Sequence, residues 1–146
     1  MRVDAYQAWF YWALLSAGFA ALTAIFAKIG LEGIDSDFAT LIRTFVILIV
    51  LTAFVSYAGK WTDPFALRPR TWSFLALSGL ATGASWVCYF RALQLGNASK
   101  VAPVDKLSVV LVAIFAFVFL SERPPLKDWL GILLVAAGVV ILGLRK

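Results

Sequence analysis

Residues 98–145, ASKVAPVDKLSVVLVAIFAFVFLSERPPLKDWLGILLVAAGVVILGLR, decide the fold. Two apolar runs, 101–120 and 129–144, flank a charged hairpin at 121–128 that holds Pro124 and Pro125. A hydrocarbon core about 30 Å thick is crossed by roughly 20 helical residues rising about 1.5 Å each. No soluble domain needs two adjacent stretches this apolar, so a membrane hairpin is the economical reading. Ionisable groups inside a span are costly and functional by default. Asp105 and Lys106, beside Pro103 in the first run, are therefore the first site candidates.

Composition extends that reading to the whole chain. Of its 146 residues 62% are hydrophobic and 14% charged, with a mean hydropathy of +0.91, whereas soluble domains carry about 25% charged residues. The net charge of +5 comes from Lys and Arg spread singly among apolar runs and loop ends, which suits membrane topology and anionic headgroups and argues against nucleic acid. With no His and one Cys, Cys88, the chain has no ligand set for zinc, haem or an iron–sulfur cluster and no base for a His triad; no cofactor or metal is expected. Cys88 reads as a small apolar packing residue. The first apolar segment is too long for a signal-peptide core and is expected to remain.

Five spans follow, at about 8–29, 38–58, 71–95, 98–120 and 127–144, in one all-α transmembrane domain. Trp9, Tyr11 and Trp12 form an interfacial belt at the start of the first. The loop after it runs from Gly30 through Gly33 to Asp37, with glycine as the helix stop and Asp37 or Ser36 as the next N-cap. Gly96 and Asn97 read as a helix stop followed by an N-cap. In the third span Ser78, Thr82, Ser85 and Tyr89 share one helical face, with Trp86 nearby; they are candidates to line an aqueous cavity, or their hydroxyls bond back to the helix. Gly79 and Gly83 form a small-residue pair about 100° away.

Depth orders the charges. Arg43, Arg91 and Lys106 all fall toward the side that carries the 30–37 loop, and Lys106 is the deepest. Arg43 and Arg91 are candidates for the same binding site or snorkel to the interface. Asp105 is about 100° round the helix from Lys106. Pro103 is either inside a helix that starts at Ala98 or in the first turn of one that starts at Ala102, and both arrangements leave irregular backbone beside Lys106. Carrier sites are built at such breaks.

These residues resemble the EamA domain of the drug/metabolite transporter superfamily. The matching pieces are YFRALQLG at 89–96, Ala102 with Pro103, FLSERP at 119–124, WLG at 129–131 and AGVV at 137–140. Typical members carry two five-helix repeats of opposite orientation; this chain looks like the single-repeat bacterial and archaeal subgroup, in which the PVDKLS run at 103–108 is also expected. The resemblance implies an inner-membrane carrier of small metabolites. The leading expectation is a secondary transporter of a small polar or anionic metabolite, with Lys106 central, working as an antiparallel homodimer with dual topology. Gly131 and Gly138, two turns apart on one face of the fifth span, are the expected dimer contact. A cation or drug exporter like the small multidrug resistance proteins is weakened by the absence of a Glu within the first span. A membrane scaffold subunit is the alternative outside transport, and an enzyme has no paired carboxylates or activated nucleophile to use.

Overall fold

The computed structural model describes residues 3–143, with side chains from Ala8 onward. Six α-helices build five spans: α1 (Val3–Gly30), α2 (Ser36–Tyr57), α3 (Pro69–Leu95), α4 (Ala98–Asp105), α5 (Ser108–Phe119) and α6 (Leu126–Gly143). There is no strand among the described residues. The fourth span, Ala98–Phe119, is shared by α4 and α5. Its 22 residues would cover about 33 Å as straight helix, enough for the hydrocarbon core. Large apolar side chains face outward along every span: Phe19 is 67% exposed, Phe45 62%, Leu80 72%, Val112 64% and Ile141 68%. In water such a surface would collapse, so lipid is its natural solvent.

Local chemistry sets the helix ends. Asp35, not Ser36 or Asp37, caps α2: its Oδ1 accepts from the amides of Asp37 at 2.9 Å and Phe38 at 3.1 Å. Asp35 has the extended backbone an N-cap needs, and its carboxylate sits at the positive end of the helix dipole. The one-residue shift leaves Asp37 in the first turn with its side chain free for another partner. At the other end of α2, Gly59 takes φ 62°, and the amides of Gly59 and Lys60 turn back to the carbonyls of Ser56 and Val55. This left-handed closure needs a residue without a Cβ. In the following loop Asp63 caps a short 3-10 turn, and the indole N–H groups of Trp61 and Trp72 donate to Ser56 Oγ and the Pro64 carbonyl. Two interfacial rings thus keep their polar edges satisfied.

Pro103 lies inside a helix that begins at Ala98 after an extended Asn97, whose side chain makes no cap bond. Regular bonding fails just beyond it. The amides of Lys106, Leu107, Val109 and Val110 reach back three residues rather than four, at 2.9 to 3.0 Å, which separates α4 from α5. A tight turn within a span marks a mechanical weak point.

The described residues fall into two compact units, one formed by the residues up to Ala24 together with those from Gly96 onward, the other by Ile25–Leu95. In the first, α6 packs on α4 and α5. Val139 is buried, and Trp129, Ile132 and Ala136 are half-buried on the same face. In the second, α2 packs against α3, and the core is Leu31, Ser36, Thr40, Phe90 and Leu93. Leu93 is fully buried. The first 17 residues of α3, up to Ser85, are all exposed, so that helix is held in its unit by its C-terminal third.

Candidate functional site

Three polar links tie the end of α3 to the end of α1, the loop after it and the start of α2. Arg91 makes a bidentate pair with Asp37, Nε to Oδ1 at 2.9 Å and Nη2 to Oδ2 at 2.5 Å. Lys28 Nζ donates to the Leu93 carbonyl at 2.6 Å, and Gln94 Nε2 donates to the Ile34 carbonyl at 2.9 Å. The lysine thereby satisfies a carbonyl that the helix end leaves open and places a positive charge at the negative pole of α3. Buried Thr40 returns its hydroxyl to the Ser36 carbonyl, and Thr44 does the same to Thr40, both at 2.8 Å. No buried side-chain polar atom among the described residues lacks a partner.

Two turns further along α2, about 10 Å from its start, sits Arg43. Its guanidinium lies over the Trp86 ring at 4.2 Å and near the Phe90 ring at 5.1 Å. Trp86 and Phe90 are four residues apart, so one turn of α3 presents both rings to the same cation. Phe90 is only 3% exposed and is held by the core. Tyr89, half-buried, meets Phe90 edge-on with ring centroids 6.4 Å apart. Asp35 is committed to the helix amides and Asp37 to Arg91; among the described residues Arg43 makes no hydrogen bond or ion pair. The two ring contacts are face-on and use none of the N–H donors of its fork.

Of the polar stripe, Ser78, Thr82 and Ser85 are exposed, and the Thr82 hydroxyl bonds back to the Ser78 carbonyl at 2.8 Å. Gly79 and Gly83 have no heavy atom near the place of a Cβ. Cys88 is exposed on α3, so it does not fill a core position. In the other unit Lys106 Nζ lies 3.4 Å from Asp105 Oδ2, with the two side chains 55% and 38% exposed. The helix break turns these sequence neighbours toward each other, which the 100° spacing of a regular helix does not. Among the described residues Lys106 pairs with no acid on another helix, and no His, Cys, Asp and Glu group could hold a metal. Gly131 and Gly138 are open as well: a Cβ at either would meet nothing within 4 Å.

Sequence reasoning missed Asp37 and Phe90. For Asp37 a signal existed, an acid in the first turn of one span and Arg91 four residues before the end of the antiparallel next one. For Phe90 it was the Trp86–Phe90 spacing. The Asp37–Arg91 pair is a fork-to-carboxylate match that Lys cannot reproduce. Asp37→Ala or Arg91→Ala is expected to lower the midpoint of thermal unfolding in detergent, and the swap of Asp37→Arg with Arg91→Asp to recover most of it. Unchanged midpoints in both single variants would show that the pair contributes nothing to the fold.

Comparison with known proteins agrees with this architecture. The family model described as EamA-like transporter family matches residues 7–144. The chain is 62% identical over 136 residues to an uncharacterized transporter in the cobO 3' region of Sinorhizobium sp, covering 93% of this chain and 96% of that protein. It is 30% identical over 105 residues to the probable 4-amino-4-deoxy-L-arabinose-phosphoundecaprenol flippase subunit ArnE of Salmonella heidelberg, covering 66% of this chain and 95% of that one. Against the uncharacterized transporter YxxF of Bacillus subtilis the identity is 26% over 136 residues, which cover 92% of this chain but 42% of that protein. No solved structure matches. Five apolar spans, a broken fourth helix and a family match from end to end converge on one assignment: the chain is a multi-pass membrane protein of the EamA-like transporter family.

Proposed function

We propose that the protein is a secondary carrier of a small polar or anionic metabolite in the inner membrane, and that it works as an antiparallel homodimer. The observation that carries the reading is the break at Lys106 and Leu107, which sets an accessible charge pair, Asp105 and Lys106, on irregular backbone about 12 Å into the fourth span. Carriers place ligand groups at such breaks because the unpaired backbone is tolerated only where it lines a polar cavity. A single repeat needs a partner for alternating access, and the Bacillus relative, more than half of which lies outside the match, has room for a second repeat in one chain. Reconstituted protein in liposomes should give saturable uptake of at least one member of a panel of labelled phosphorylated and carboxylated metabolites. Folded protein that moves none of them would favour a scaffold subunit.

A second reading, passage of a lipid-linked phosphate, is favoured by the name of the Salmonella relative and by an open apolar face of α1 at Tyr11, Leu14, Leu15, Gly18, Phe19 and Leu22. Flipping of a labelled polyprenyl phosphate in the same liposomes, without uptake of soluble metabolites, would select it.

The dimer contact belongs to α6. Gly131 and Gly138 lie about 100° round the helix from Val139, the residue buried against α4 and α5, so the glycine face is left for a neighbour. Small residues allow close helix approach where lipid offers no hydrophobic drive. Because a side chain at Gly138 meets nothing inside the protomer, Gly138→Leu should leave the monomer fold intact while shifting the detergent-solubilised protein toward monomer. An unchanged mass by light scattering would remove α6 as the contact.

A further inference from the structure

We infer that Arg43, laid on the Trp86–Phe90 platform, is the docking point for an oxyanion, the carboxylate or phosphate group of the transported molecule. The inference rests on the reading of the chain as a carrier and names the group that its substrate presents. The physical ground is an unbalanced charge. A guanidinium within a span needs either an acid or a ligand, since a charge in a medium of low dielectric constant is costly when it is left alone. In Ile25–Leu95 the acids nearest in sequence to Arg43 are already engaged, Asp35 on the amides of α2 and both oxygens of Asp37 on Arg91. The cation is instead held face-on by two rings at 4.2 and 5.1 Å. That contact supports the charge from one side and does not use the N–H donors, which project in the plane of the fork.

A stacked, half-buried guanidinium with unused donors has the geometry of an anion receptor. Its planar pair of N–H bonds matches two oxygens of a carboxylate or phosphate, whereas a lysine would offer a point charge without the fork or the stacking. The rings are well placed to keep it rigid. Phe90 is locked in the core beside Leu93, and Trp86 follows one turn away on the same face. The neighbouring Asp37–Arg91 pair has the complementary role: by consuming the acid it prevents Arg43 from collapsing into an internal ion pair. Arg91 is thus a positioning residue, and Arg43 is the one that touches the ligand.

The test uses the purified full-length protein and phenylglyoxal, which modifies guanidinium groups whose N–H edges are open, read out by peptide mass spectrometry at Arg43 and Arg91 separately. Millimolar inorganic phosphate or succinate should slow modification of Arg43 by roughly tenfold and leave Arg91 unaffected, as expected for a bidentate anion contact. A parallel arm compares nanodiscs of phosphatidylcholine with nanodiscs that also contain phosphatidic acid. Protection in the phosphatidic acid discs alone would assign the oxyanion to a lipid headgroup, and protection by the free anions to a soluble substrate. Arg43 modified at one rate in every arm would overturn the proposal. Trp86→Leu, which keeps the fork, should lose the protection, and Arg43→Lys, which keeps the charge, should lose the flux. Full flux in Arg43→Lys would sink the docking role while leaving the carrier reading in place. Protection without any flux would do the reverse.

Discussion

Lys106→Ala should lose metabolite flux by roughly tenfold to hundredfold while the protein still inserts and folds, the magnitude expected when one member of a hydrogen-bonded charge pair leaves a site. Lys106 and Asp105 are 3.4 Å apart and both are substantially exposed within the chain, so losing the lysine strands no acid in a closed interior. A buried pair would behave differently, because its surviving partner would be left charged and desolvated. The informative comparison is Lys106→Ala against Lys106→Ala with Asp105→Asn, with both flux and the midpoint of thermal unfolding measured. Flux lost in both variants with unchanged midpoints places Lys106 in transport. An unstable single variant rescued by the second substitution would make the pair a structural clamp on the broken helix and remove Lys106 from the site.

Cysteines placed singly at the N-terminus and in the 59–70 loop, two spans apart and so on the same side, should each be labelled from outside intact cells to about half their total, the outcome of dual topology when the Lys and Arg bias is too small to set one orientation. With the N-terminus inside, the inner side holds six bases: Arg2, Lys60, Arg68, Arg70, Arg123 and Lys127. The outer side holds four, Lys28, Lys100, Arg145 and Lys146, and Arg43, Arg91 and Lys106 lie in the outer half of the membrane. Arg2, Arg145 and Lys146 are outside the described residues. An odd number of spans then allows two copies inserted oppositely to form a pair of inverted repeats about an axis in the membrane plane. A cysteine added at the N-terminus and another at Ala66 in the exposed loop, both in a Cys88→Ala background, give the two reporters. Complete protection of both from an impermeant reagent would leave a parallel arrangement with the N-terminus inside.

The sequence by itself determined the five spans and the place where the fourth one breaks. Both depend on local physics: a span needs only enough consecutive apolar residues to match the bilayer, and Pro103 removes an amide wherever the surrounding helices lie. Glycine at position 59 and the prolines of the hairpin after α5 act equally locally. What the sequence left open was which residues face each other. Asp37 and Arg91 are 54 residues apart and Lys28 and Leu93 are 65 apart, and their meeting depends on the rotation of each helix about its axis, where one residue of register turns a side chain by about 100°. In a soluble protein the apolar stripe reports that rotation; in a membrane both faces are apolar and the stripe is silent. The same indifference hid the platform beneath Arg43, since Trp86 and Phe90 would read alike whether they faced lipid or a guanidinium. Even the cap of α2 fell to one of three neighbouring candidates, Asp35, whose extended backbone and carboxylate serve the helix amides while Asp37 in the first turn meets Arg91.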